Sequence, residues 1–144
     1  MEFLELVRNR YSCKKFDGRQ VGEKELEMIL EAGRLAPTAK NLQEQRIYVI
    51  QSQEGLTKLD NITPCRYGAG TVLVVAFDKN HVFTYPGEKR NSGVEDATIV
   101  ATHMLLAEPF RSGGCGQGAG TAGKRRGAYA VGFGIPGGGN RASA

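Results

Sequence analysis

Thr71-Val72-Leu73-Val74-Val75-Ala76-Phe77 is the stretch on which the fold turns. It is a continuous apolar run without a charge, rich in β-branched residues, and it reads as a strand covered on both faces. Working back, Arg46-Ile47-Tyr48-Val49-Ile50 reads as a second strand, with a short helix around Leu56 to Leu59 between the two. Working forward, a polar loop from Asp78 to Asn91 leads to Ser92, with Glu95 three residues on. That spacing is a capping box and opens a helix whose apolar stripe is Val94, Ala97, Ala101, Met104 and Leu105. Pro109 ends it. His103, near its end, reads as a packed or half-exposed side chain, since no second metal-type residue is spaced with it.

The N-terminal third carries two further helix patterns. Phe3, Leu4, Leu6 and Val7 make a short apolar stripe. After Val21, Leu26, Ile29, Leu30 and Gly33 share one face, with Glu23, Lys24, Glu27 and Glu31 elsewhere. Pro37 stops that helix, because proline cannot continue the ladder and disfavours helix at Ala36. The expected elements are therefore helices near 2–9, 23–35 and 93–108 around a sheet containing 46–51 and 71–78. At 144 residues the chain fits one domain with a real core and needs no metal or disulfide staples.

Charge divides the chain. Up to Phe110 there are fourteen Lys and Arg against fifteen Asp and Glu, so the net charge of +4 comes from the segment after Glu108, which holds no acid. The basic balance says nothing about what the earlier part binds. Cys13, Cys65 and Cys115 are odd in number, widely spaced and without zinc-type pairing, as expected of reduced thiols in a cytoplasmic protein. The start has no signal-peptide pattern, and no run approaches a membrane span.

Between the first two helix patterns lies Arg10-Tyr11-Ser12-Cys13-Lys14-Lys15-Phe16. Arg offers a planar fork of donors matched to phosphate oxygens, Lys a point charge and Ser a hydroxyl. In an extended segment Arg10, Ser12 and Lys14 point the same way, with Phe16 following in register. The plain alternative is a solvated basic turn. The loop Pro37-Thr38-Ala39-Lys40-Asn41-Leu42-Gln43, rich in small and amide side chains, is of the kind that brings backbone donors close to a ligand.

Three segments together resemble the FMN-dependent nitroreductase family. Arg10 to Phe16 is similar to its opening Arg-Arg/His-Ser-x-Arg/Lys-x-Phe motif. Ala36-Pro37-Thr38-Ala39-Lys40-Asn41-Leu42-Gln43 is similar to its Ala-Pro-Ser/Thr-x-x-Asn-x-Gln loop. Glu95 to Ala107 is similar to its long central helix, so the resemblance covers about residues 3–108. It implies an α+β fold with a mixed or antiparallel sheet flanked by helices, and a homodimer holding FMN at its interface. Arg10, Ser12 and Lys14 would bind the phosphate and ribityl chain, and Tyr11 would contact the flavin. Pro37, Thr38, Ala39 and Asn41 would line the ring from the partner subunit, with Gln43 near it. The implied activity passes a hydride from NAD(P)H through flavin to a nitroaromatic or quinone, a small aromatic acceptor. The cofactor carries that chemistry, so no catalytic acid or nucleophile is sought.

Two departures qualify the resemblance. Glu44-Gln45 stand where many members have Pro-Trp. After the central helix the family continues with a Gly-Leu-Gly-x-x-Trp type segment and a basic residue that reaches the phosphate, whereas here Glu108 to Gly114 diverges. Twelve of the last thirty-four residues are Gly, and only Tyr129, Val131, Phe133 and Ile135 offer side chains to pack. Such a segment does not offset its ordering entropy. The expected organisation is a flavin-binding domain over 1–110 and a poorly ordered Gly/Arg-rich tail over 111–144, replacing the family's C-terminal part after a frameshift. The competing function is a flavin- or phosphate-binding module with little or no turnover. A nucleic-acid contact through Lys124-Arg125-Arg126 is disfavoured, because a single basic triplet lacks interleaved aromatics.

Overall fold

The computed structural model describes residues 2–10, 12–107 and 128–132. In order, helix α1 spans Phe3–Asn9, α2 Glu23–Arg34, strand β1 Gln45–Ile50, helix α3 Gln53–Asp60, β2 Thr71–Phe77, α4 Gly93–Ala107 and β3 Ala128–Gly132. Single 3-10 turns lie at Ala39–Asn41 and Pro64–Arg66. The fold is the expected α+β arrangement, helices around a mixed sheet of order β1-β2-β3. β1 runs antiparallel to β2, with Gln45 opposite Phe77 and Ile50 opposite Val72.

β2 is the centre because both of its faces are apolar. Leu73 and Val75 belong to one core cluster, with Val21, Ile29, Ala36, Ala97, Val100 and Met104 from α2, its flanks and α4. Val72 belongs to the other, with Leu56 and Leu59 of α3 and Ala69, and Phe16, Ile50 and Val74 pack against it. Alternate residues of one strand thus feed two cores. Each buried Leu, Ile, Val or Met contributes about 1.5–3 kcal/mol, so the two clusters supply most of the drive to fold.

The ends of the elements follow from their chemistry. At the start of α2 the Gly22 N–H donates to Glu25 Oε2 at 3.3 Å. Ser52 caps α3, its hydroxyl accepting from the Gly55 N–H at 3.2 Å. Gly33 lets α2 lie close on its neighbours: a Cβ there would sit 3.0 Å from Met104 Cγ and 3.2 Å from Ile47 Cδ1. A buried polar node closes the far end of the sheet. Thr71, fully buried, accepts at Oγ1 from the Val21 N–H at 2.9 Å and from Gln51 Nε2 at 2.9 Å.

Three readings of the sequence are corrected. Val94 is 60% exposed, and the buried line of α4 runs through Asp96, Ala97, Val100 and Met104. The helix is apolar over more than one stripe, so its pattern alone did not fix its rotation. Ser92 does precede α4, but its N–H donates to the Phe83 carbonyl at 2.9 Å rather than to the Glu95 side chain, and its hydroxyl donates to Asp96 Oδ2 at 2.6 Å instead of accepting from the Glu95 N–H. The third difference is β3, in a segment to which the sequence reading gave no element. It pairs parallel to β2, Thr71 opposite Ala128 through Val75 opposite Gly132, making β2, α4 and β3 a βαβ unit. Its period-two pattern, Tyr129 and Val131, was visible but surrounded by Gly. The rest of the 111–144 segment lies outside the described residues.

Candidate cofactor-binding site

The basic stretch leaves α1 as extended backbone: Arg10 has φ −59° and ψ 131°, and its N–H still donates to the Leu6 carbonyl. Arg10 Nη1 donates to Ser12 Oγ at 2.9 Å, so the guanidinium and the hydroxyl share one side, as period two requires. Arg10, Ser12 and Lys14 are all exposed. The register does not continue to Phe16. Lys14 lies in a bend, and Phe16 turns inward onto the α3 core, its N–H donating to the Tyr67 carbonyl at 2.9 Å. Cys13 Sγ donates to the Lys15 carbonyl at 3.1 Å, and Cys13 and Cys65 are free thiols. Among the described residues Arg10, Lys14 and Lys15 take part in no ion pair, whereas Arg19, Arg34, Arg46, Lys58, Arg66 and Arg90 each face a carboxylate. Tyr11 lies outside the described residues.

The second segment is strained. Lys40, Asn41 and Gln43 have φ of 52°, 55° and 50°, in the left-handed region that non-glycine residues seldom occupy. Strain of this kind persists only where the surroundings over-determine it, and it gathers at functional sites. Here the Ala39 N–H donates to Asp96 Oδ1 at 2.9 Å, the Gln43 N–H to Thr38 Oγ1 at 3.0 Å and the Asn41 N–H to the Thr38 carbonyl at 2.9 Å. Lys40 Nζ rests 5.0 Å from the centroid of the Phe83 ring. The result leaves Pro37, Asn41 and Gln43 exposed, and Thr38 and Ala39 half-buried.

Sequence reasoning missed what holds this loop. Glu44, noted only as a departure from Pro, is 2% exposed, and Asp96, passed over for Glu95, is 4% exposed. Burial pushes the Glu44 carboxyl above the ordinary glutamate range, and the neighbouring Asp96 carboxyl adds to it; the Glu44 backbone amide opposes them and is outweighed. The available signal was a Glu directly after the loop and an Asp one turn into the helix.

Among the described residues, no hydrogen bond or ion pair joins the 10–14 segment to the 37–43 loop. They are two separate candidate segments. A guanidinium, a hydroxyl and an ammonium, exposed and not neutralised, suit a phosphate. Exposed amide side chains on a rigid loop suit a flat polar ring. These residues fit a phosphate-bearing heteroaromatic cofactor. No group of three or more His, Cys, Asp or Glu that could hold a metal occurs among the described residues. None of their helices is long and apolar enough to cross a membrane.

Residues 7–65 match the sequence model of the Nitroreductase family, a span that contains both candidate segments. A Methanothermobacter thermautotrophicus protein, provisionally named an NADH dehydrogenase/NAD(P)H nitroreductase, is 28% identical over 111 residues, which are 74% of this chain and 55% of that protein. The crystal structure of a nitroreductase family protein from Clostridium difficile 630 superposes with a TM-score of 0.71 at 39% identity, covering 74% of this chain and 62% of that one. A Bacteroides fragilis nitroreductase crystallised with bound FMN shares the fold, with a TM-score of 0.59 at 22% identity over 74% of this chain and 64% of its own. The chain thus spans rather more than half the length of the relatives it matches. Residues 7–65 thus carry the sequence pattern of the Nitroreductase family, and about three quarters of the chain is similar in fold to a nitroreductase family structure.

Proposed function

We propose that the chain is an FMN-dependent oxidoreductase that takes a hydride from NAD(P)H and delivers it to a nitroaromatic or quinone acceptor, as a homodimer with the flavin at the interface. The observation that carries this reading is the pairing of Arg10 with Ser12 on an exposed segment whose cations form no ion pair among the described residues. Arg10 and Lys14 hold the phosphate by charge-assisted hydrogen bonds, and Ser12 adds a hydroxyl donor. Pro37, Thr38, Ala39 and Asn41 line the ring, with Gln43 beside them. Bound flavin supplies the two-electron chemistry; the chain supplies orientation and the polarity around the ring. The separation of the two candidate segments within one chain supports a site completed by a second copy. So does the exposed apolar face of α1, where Phe3 is 66% and Leu4 63% exposed. Tyr11 belongs to the same proposed site.

The test is flavin titration of the full chain and of Arg10→Ala, followed by NAD(P)H oxidation with a quinone or nitroaromatic. Arg10→Ala should weaken FMN binding by about 1.5–3 kcal/mol, the range for a hydrogen bond to a charged group. Unchanged affinity would put the phosphate elsewhere. Flavin bound tightly without acceptor-dependent oxidation would favour the binding-module reading over the enzyme.

A further inference from the structure

Glu44 and Asp96 are two buried carboxyls brought together from the end of the 37–43 loop and the first turn of α4. Their hydrogen bonding is unequal. Asp96 Oδ1 accepts from the Ala39 N–H and Oδ2 from the Ser92 hydroxyl, the acceptor-only pattern of a carboxylate. Glu44's own amide pulls on its carboxyl without making a well-formed hydrogen bond, and no other described residue donates to Oε1 or Oε2. The charged groups near it offer none. Arg46 Nη1 donates to the Glu44 and Gln45 carbonyls at 3.4 and 3.1 Å, and its Nη2 pairs with Asp78 at 3.7 Å. Asp78, after β2, gives its N–H to the Glu44 carbonyl at 2.8 Å. Lys40 lies over Phe83. Two ionised carboxyls cannot share a dry site without a cation, and an isolated buried carboxylate is costlier still. One proton removes both difficulties, because a neutral acid has an O–H to donate.

We infer that Glu44 is the protonated member and donates to Asp96, and that this acid–carboxylate pair is the latch that positions the 38–44 loop on α4. The inference deepens the cofactor site proposed above and rests on that reading for its functional consequence. Asp96 is held by the Ala39 N–H and by the Ser92 hydroxyl at the helix start, and the inferred Glu44 proton adds the third contact. The arrangement spans both ends of the strained loop, whose last left-handed residue, Gln43, adjoins Glu44. Loss of the proton sets two negative charges against each other and frees the Ala39 end. Glu44 and Asp96 are positioning residues; neither is required to touch the cofactor.

The linkage has a definite sign. Because folding raises the Glu44 pKa, the stabilisation is fully present below the unfolded-state value and is lost as pH rises through the folded one. Two flavin-free measurements on the full chain test it, with Glu44→Gln as the conservative variant: its amide donates to Asp96 but has no proton to lose. Infrared difference spectra taken just above the ordinary glutamate range should show a protonated-carboxyl C=O band that Glu44→Gln removes. Hydrogen exchange should show Ala39 amide protection falling about tenfold or more as pH rises through the titration in the wild type, and staying flat in Glu44→Gln. No such band, or superimposable exchange profiles, overturns the inference. Adding FMN separates the two readings. If flavin is not retained while band and profiles are as expected, the cofactor proposal fails and the latch stands. If flavin binds with the same pH dependence in both proteins, the latch does not position its site.

Discussion

Replacing Thr71 by Val removes one oxygen from a fully buried position while keeping side-chain volume and strand preference. That hydroxyl accepts from the Val21 N–H at 2.9 Å and from Gln51 Nε2 at 2.9 Å. In the variant the Val21 N–H has no acceptor, and a buried donor left unsatisfied costs about 1–3 kcal/mol. Gln51 keeps its longer bond to the Val21 carbonyl, 3.3 Å, so its loss is smaller, about 0.5–1 kcal/mol. The expected destabilisation is about 1.5–4 kcal/mol, a large share of the 5–15 kcal/mol typical of a domain. With a urea m-value of about 2 kcal/mol/M, the unfolding midpoint should fall by about 1–2 M with m unchanged. The node also tethers the segment between the basic stretch and α2, so affinity at the proposed flavin site should weaken in parallel. A midpoint within about 0.3 M of wild type would refute the reasoning, since the hydroxyl would then not be the acceptor that holds Val21.

Two shorter predictions follow. Gly93→Ala should destabilise by about 1–3 kcal/mol in the same assay although Ala is the better helix former, because its Cβ would enter the Phe77 ring; a gain in stability would show that the ring moves aside freely. Arg66 donates to both Asp60 oxygens at 2.6 Å and, by that hydrogen bonding, holds the Asp60 carboxyl below its ordinary range. Stability from this pair is therefore present above about pH 4 and lost as pH falls through the lower folded value, so Arg66→Ala should flatten the acid limb of a melting-temperature profile.

What was legible in the sequence was what neighbours along the chain determine. The strands around Val75 and Ile47, the α2 face of Ile29 and Gly33, and the stop at Pro37 follow from periodicity and backbone chemistry within a few residues. The Arg10–Ser12 alignment was equally local. What failed was decided at long range. Asp96 meets Ala39 across 57 residues, and β3 finds β2 only after α4 has crossed back. The rotation of α4 depended on which of its apolar residues met Gly33, a fact of helix packing that its own pattern did not contain.

The loop conformation was illegible for a different reason: propensity argues against it. Left-handed backbone costs about 1–2 kcal/mol per non-glycine residue, less for Asn, so Lys40, Asn41 and Gln43 together oppose folding by about 3–5 kcal/mol. The Ala39 to Asp96 bond, made to a charged acceptor, returns about 1.5–3 kcal/mol, and the Gln43 to Thr38 bond about 1 kcal/mol. These nearly cancel. A loop so balanced takes its shape from whatever further contact reaches Asp96, and the inferred Glu44 proton supplies one. The residue that broke the expected Pro-Trp pattern thus stands where a single proton decides whether the loop is held, and the loop's strain and the buried acid are one device.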